Sequence, residues 1–153
     1  ITHARFHPTL VLPGTELEKH WKLGEYSPLS LEEAVMIGAE IIRIGKSYAI
    51  RFLRFGLHPS ESLLAESHVL AGPFHPAFGE LCHNRYYRNL IETDLRDRSS
   101  GSYAVICSDK EISRVLGNSR ANDLFFQQKY PRFRVVFKRS PAIKQGILIQ
   151  EVN

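Results

Sequence analysis

Ser30-Leu31-Glu32-Glu33-Ala34-Val35-Met36-Ile37-Gly38-Ala39-Glu40-Ile41-Ile42-Arg43-Ile44-Gly45, followed closely by Ala49-Ile50-Arg51-Phe52-Leu53-Arg54-Phe55-Gly56-Leu57, is the stretch that decides the fold class. Ser30 and Glu33 predict a capping box: the serine hydroxyl accepts from the Glu33 amide, and the Glu33 carboxylate accepts from the Ser30 amide. Ala34, Ile37, Ile41 and Ile44 then keep the spacing of one helix face to about Gly45. The segment after the helix is apolar on both faces, with Ile50 and Phe52 on one and Leu53, Phe55 and Leu57 on the other. That pattern predicts a strand covered on both sides, as in a parallel α/β sheet. Upstream, Phe6-His7-Pro8-Thr9-Leu10-Val11-Leu12 reads as a strand ending at Pro13-Gly14, and Thr15 caps a short helix with Leu17 and Trp21 inside. Strand, helix, strand makes a βαβ unit with a right-handed crossover. A single such unit leaves both strands with unpaired edges, and the chain opens at Ile1 just before the first strand. The expectation is a piece of a longer protein.

Composition narrows the class. At 153 residues, 43% apolar and 24% charged, the chain is long enough for a core and unlike a disordered, collagenous or coiled-coil sequence. No run approaches the ~18 apolar residues of a membrane span, and no basic-then-apolar leader opens it, so no membrane partner and a cytoplasmic location are expected. Charge is uneven. Residues 1–78 hold seven basic against eight acidic side chains, whereas residues 79–153 hold thirteen against eight, a net +5. A basic C-terminal half suits an anionic partner, nucleic acid first, or a merely solvated surface.

Three segments follow from this pass. Residues 1–60 carry the βαβ unit. Residues 61–98 hold the turn-rich Ala71-Gly72-Pro73-Phe74-His75-Pro76 and a helix with Phe78, Leu81, Cys82, Tyr86 and Leu90 on one stripe and Arg85 and Arg88 nearer its edges. Residues 99–153 read as strand (103–107), helix (110–116), the turn Gly117-Asn118-Ser119-Arg120, helix (121–130), strand (133–138) and strand (147–152). Pro141 and Gly146 between the last two predict an antiparallel pair.

Chemistry is sparse. His3 and His7 lie in an extended segment, and His75, Cys82 and His83 cluster without any His-Glu-x-x-His or Cys-x-x-Cys spacing, so no metal site is expected. Cys82 reads as core and Cys107 as the end of a buried strand, which leaves neither as a nucleophile. No glycine-rich phosphate loop follows a strand. The tail is more informative: a Gly-x-x-x turn between two helices offers backbone amides and a helix N-terminus to a phosphate. Gly117, Asn118, Ser119 and Arg120, with Lys110 and Arg114, are the candidate RNA-binding residues, and Arg85 and Arg88 form a second contact row. The plain alternative is an ordinary helix connection with a capping Asn. The aromatic residues Phe125, Phe126, Tyr130, Phe133 and Phe137 read as core rather than as a base-stacking surface.

The β-α-α-β order of the tail resembles a KH domain, a single-strand RNA-binding fold. Arg120 stands where that family's Gly-x-x-Gly loop has its second glycine. Residues 6–91 carry a second resemblance. Phe6 to Leu17 with Trp21 and Gly24-Glu25-Tyr26, then Leu29-Ser30-Leu31-Glu32-Glu33-Ala34-Val35, Arg54-Phe55-Gly56-Leu57-His58-Pro59-Ser60 and Val69-Leu70-Ala71-Gly72-Pro73-Phe74-His75-Pro76-Ala77-Phe78-Gly79-Glu80-Leu81 resemble the radical S-adenosylmethionine (SAM) proteins of the Elongator catalytic-subunit family, in particular its bacterial relatives. The resemblance implies the terminal βα elements of a partial radical SAM barrel, α/β in class and α+β overall, followed by a small KH-like β-α-α-β-β domain. It implies a 4Fe–4S cluster and SAM in the parent enzyme, with the N-terminal half of the barrel as a partner. The family's Cys-x-x-x-Cys-x-x-Cys motif is not in this chain, so the chain alone is expected to bind neither group and to carry no catalytic residue. Leu10 and Val11 would lie on the adenine side of the barrel. The RNA partner would be tRNA. Two other readings stay open: a structural or protein-interaction extension that caps the barrel, and part of a small-molecule enzyme with His58 and His75 near its mouth.

Overall fold

A computed structural model describes residues 2–57 and 68–152. The His58-Pro59-Ser60 end of the resemblance lies outside the described residues. The chain divides into two compact units, Ile1–Cys82 and His83–Asn153. The fold is mixed α/β with two small sheets, and the described residues form no closed barrel.

In the first unit, β1 (His3–Phe6) pairs in parallel with β2 (Arg51–Phe55), with a bulge between Ala4 and Arg5. Between them run α1 (Glu16–Lys22) and α2 (Leu31–Ser47). Both expected caps are present. The Thr15 hydroxyl accepts from the Glu18 amide at 3.2 Å, and Ser30 and Glu33 form the full capping box.

Three expectations need correction here. The first strand ends at Phe6 instead of running on to Leu12. Pro8 has no N–H for a ladder, so the chain leaves the sheet, and Val11 makes an isolated antiparallel bridge to Ala71 instead. The buried stripe of α2 is Ala34, Val35, Gly38, Ala39, Ile42 and Gly45, while Ile37 and Ile44 stay 42% and 41% exposed. The reason is approach distance. A Cβ on Gly38 would lie 2.4 Å from Cys82 Sγ, and one on Gly45 would lie 2.2 Å from the Phe52 ring, so only the small-residue face lets the helix sit this close. Finally, β2 is covered on one face only. Phe52 and Phe55 turn toward the core, whereas Leu53 is 53% exposed. Around them Phe6 meets Phe55 edge to face at 5.7 Å and Phe78 at 6.0 Å.

Helix α3 (Phe78–Arg96) spans the division between the units. The second unit continues with β3 (Gly101–Cys107), α4 (Ile112–Leu116), a 3-10 turn (Asn118–Arg120), α5 (Ala121–Lys129), β4 (Phe133–Arg139) and β5 (Ile147–Glu151). The expected order of elements is present, but the last two strands do not pair with each other. The sheet order is β4-β3-β5, with β4 parallel and β5 antiparallel to β3. Composition explains the arrangement. Tyr103, Ala104, Val105 and Cys107 are buried and uncharged, as a central strand requires, whereas Arg134, Lys138 and Arg139 suit β4 to an edge.

Helix α2 closes with a Schellman-type cap in which Ile50 N–H donates to Gly45 C=O at 2.7 Å and Ala49 takes the left-handed position at φ 53°. Left-handed backbone is unfavourable for any residue with a Cβ. Ala49→Gly is therefore expected to raise stability by about 1 kcal/mol, and Gly38→Ala, which drives a methyl into Cys82, to lower it by about 1–3 kcal/mol. Urea unfolding of the two variants checks the opposite signs.

Candidate nucleic-acid interface

The site begins at a turn that the local sequence dictates. Gly117 ends α4 at φ 82°, and its N–H donates to Ser113 C=O at 3.0 Å. A Cβ there would lie 3.0 Å from the Asn122 backbone nitrogen, so glycine suits both the angle and the space. Ser119 (φ 50°) and Arg120 (φ 61°) follow in left-handed backbone and launch α5. The carboxylate of Asp123, in the first turn of α5, takes both Nε (3.0 Å) and Nη2 (2.5 Å) of Arg120 on one oxygen and Gln127 Nε2 (2.9 Å) on the other.

A groove opens from this turn between α5 and β4. It is lined by Arg120, Asp123, Gln127, Arg134, Val135, Val136 and Phe137. The outer edge of β4 has no strand partner among the described residues. The unit around it holds thirteen basic and seven acidic side chains, a net +6. A channel with an apolar floor, amide and carboxylate hydrogen-bonding groups and arginines at its rim has the chemistry to hold a base and its phosphate.

The sequence-based candidates fall into different places. Lys110, Asn118, Ser119 and Arg120 are exposed, Arg85, Arg88 and Arg114 are half-buried, and Gly117 is buried. Of these, Arg120 lines the groove. Arg88 serves packing. Its Nε donates to Asn122 Oδ1 at 2.9 Å, and its guanidinium lies 4.3 Å from the centre of the Phe125 ring. The groove adds Gln127 and Arg134, which sequence reasoning did not single out. Arg134 and Lys138, on one face of a strand, were the available signal.

Asn122 was also missed, and nothing in the sequence marks it. It is fully buried, and its Nδ2 donates to Asn84 C=O at 2.9 Å and to Val115 C=O at 3.0 Å, while Oδ1 accepts from Arg88. A second, half-buried network joins Tyr87, whose hydroxyl donates to Glu111 Oε1, to Gly146, whose N–H donates to Glu111 Oε2 at 2.9 Å. Burial, then the hydrogen bond and charge of Glu111, push the Tyr87 phenol well above its ordinary pKa.

In the first unit, Leu10 joins Pro8, Gly56, Pro73, His75 and Phe78 around a small niche. Val11 is fully buried, its N–H donating to Ala71 C=O at 2.9 Å and its C=O accepting from Leu70 N–H at 2.8 Å. His75 Nδ1 accepts from the Ala77 amide at 3.0 Å.

The family model of the Radical_SAM C-terminal domain matches residues 1–88. The chain belongs to that family. No curated protein and no solved structure matches it. The radical SAM family implies SAM and an iron–sulfur cluster in the parent enzyme. The described residues of this chain do not fit a cluster: among them, no group of three or more His, Cys, Asp or Glu stands ready to hold a metal. Both thiols are buried, and burial pushes Cys82 up to about 12 and Cys107 up to about 11, away from the thiolate form that ligates iron. No helix of the described residues is long and apolar enough to cross a membrane.

Two outcomes follow. Asn122→Leu takes the Nδ2 donor from the Val115 C=O near the end of α4 and the Oδ1 acceptor from Arg88, and is expected to cost about 1–3 kcal/mol in denaturant unfolding, against roughly zero for Lys110→Ala. The thiols of the unfolded chain ionise from about pH 9, whereas those of the folded chain keep their protons until about pH 11 and 12. Their contribution to stability is therefore full below pH 9 and is lost as pH rises through that window, which thermal melts at pH 8 and above would show.

Proposed function

We propose that the chain is the RNA-presenting C-terminal part of a radical SAM enzyme, with tRNA as the partner that the second unit grips for the cluster-bearing part of the parent. The observation that carries this reading is the groove between α5 and the open edge of β4, entered by the Gly117–Arg120 turn and rimmed by Arg120 and Arg134. A net charge of +6 on that unit, from thirteen basic and seven acidic side chains, supports an anionic partner. The β-α-α-β-β order, with its glycine-led turn between the helices, supports a KH-like single-strand reader. Arg120 adopts the left-handed backbone that a glycine at this place would take freely, and it adds a cation to the turn. The likeness of residues 6–91 to the Elongator catalytic-subunit family supports tRNA over other RNA.

In this reading Arg120 and Arg134 hold phosphates, while Gln127 and the Val135–Phe137 floor receive a base. The test is affinity of the intact chain for a tRNA transcript and for duplex DNA between about 50 and 200 mM salt. Micromolar or tighter binding that prefers tRNA and weakens with salt is expected. Arg120→Ala with Arg134→Ala is expected to lower the salt slope by roughly 1.4, about 0.7 for each lost single-strand phosphate contact. Absence of tRNA binding at the lower salt, in a folded chain, would overturn the reading in favour of a structural extension.

A further inference from the structure

We propose that Asp123 is an internal competitor for phosphate: it holds Arg120 in the free protein, and RNA gains that arginine only by displacing a carboxylate. The inference rests on the RNA reading and adds to it a built-in brake on affinity.

One partner of this pair is fixed and the other can move. The Asp123 side chain is 8% exposed, while that of Arg120 is 67% exposed. One Asp123 oxygen is tied by Gln127 Nε2 at 2.9 Å. The other receives Nε and Nη2 of Arg120 at 3.0 and 2.5 Å. The carboxylate is thus held from within α5, and the guanidinium lies over it on the solvent side. At contact distance the two charges nearly cancel for a phosphate approaching from outside, so the paired arginine offers little net attraction. To contribute a phosphate contact it must exchange one oxyanion for another. A guanidinium makes similar forked bonds to carboxylate and to phosphate, so the exchange conserves hydrogen bonds and turns on charge alone. Asp123 also occupies the first turn of α5, where the backbone amides attract negative charge, so it stands where a phosphate oxygen would otherwise be favoured. Arg134, on the facing side of the groove, is exposed.

The test measures binding of a fluorescein-labelled tRNA transcript by the intact chain, as wild type, Asp123→Asn, Arg120→Ala and the double variant, each first checked for a native circular dichroism spectrum. Asp123→Asn keeps the side-chain shape and an acceptor for Gln127. It is expected to bind about two- to fivefold tighter than wild type, the range of an exposed ion pair. In the Arg120→Ala background the same substitution relieves only the through-space repulsion of a bare carboxylate and is expected to bring a clearly smaller gain. Wild-type binding with no gain from Asp123→Asn, or an equal gain with and without Arg120, would overturn this inference while leaving the RNA reading intact. Failure of every variant, wild type included, to bind would overturn both. If Asp123→Asn does not fold, the Arg120 Nε–H resonance of the wild type, assigned with Arg120→Lys, decides: it is expected to shift on adding tRNA, and an unmoved resonance in the bound state would overturn the proposal.

Discussion

The three hydrogen bonds of buried Asn122 are the constraint on which the second unit depends. Its amide joins the C=O of Asn84 in α3 to the C=O of Val115 in α4, and its Oδ1 accepts from Arg88. The Val115 C=O, near the end of α4, would otherwise need a partner in a water-poor interior, where an unmet polar group is costly. Because Asn122 is itself the second residue of α5, its side chain locks the start of that helix against both neighbours. The Gly117–Arg120 turn immediately before it is then fixed in direction, and so is the wall that α5 presents to β4. The groove therefore owes its shape to a residue that does not line it.

The first unit relies on close approach rather than on a polar latch. Small residues on α2 let its backbone settle onto Phe52 and Cys82, where branched side chains would hold it off. That distance sets the position of β2 beside β1 and brings Phe6, Phe55 and Phe78 together. The family match covers residues 1–88, so this packing belongs to the radical SAM portion of the chain, and most of the second unit lies beyond it. The division also separates the chemistry. The near-neutral first unit offers little to an anionic partner, while the cations gather in the second.

Within the second unit many cations already have partners. Arg88 braces Asn122 and covers Phe125, and Arg98 pairs with Asp94 and reaches Ile149 C=O. Arg120 is restrained by Asp123. A basic surface is thus less available than its formal charge suggests, and the exposed cations of the β4 edge also keep that edge from pairing with other strands.

The sequence by itself determined the βαβ unit, both helix caps of the first unit, the order of elements in the tail and the place of the Gly117 turn, because each depends on residues a few positions apart. The capping box at Ser30 and Glu33 and the positive φ of Gly117 are local contacts and local angles, legible in any window that contains them. Tertiary structure alone decided which face of α2 is buried, because that choice depends on how near Phe52 and Cys82 come, not on hydrophobicity along the helix. It also decided that β3 is central, since a strand cannot know its partners from its own sequence. The candidate site was legible only at Arg120. Gln127, Arg134, Asp123 and Asn122 acquire their roles from segments brought together across the fold, and spacing along the chain carries no trace of that meeting.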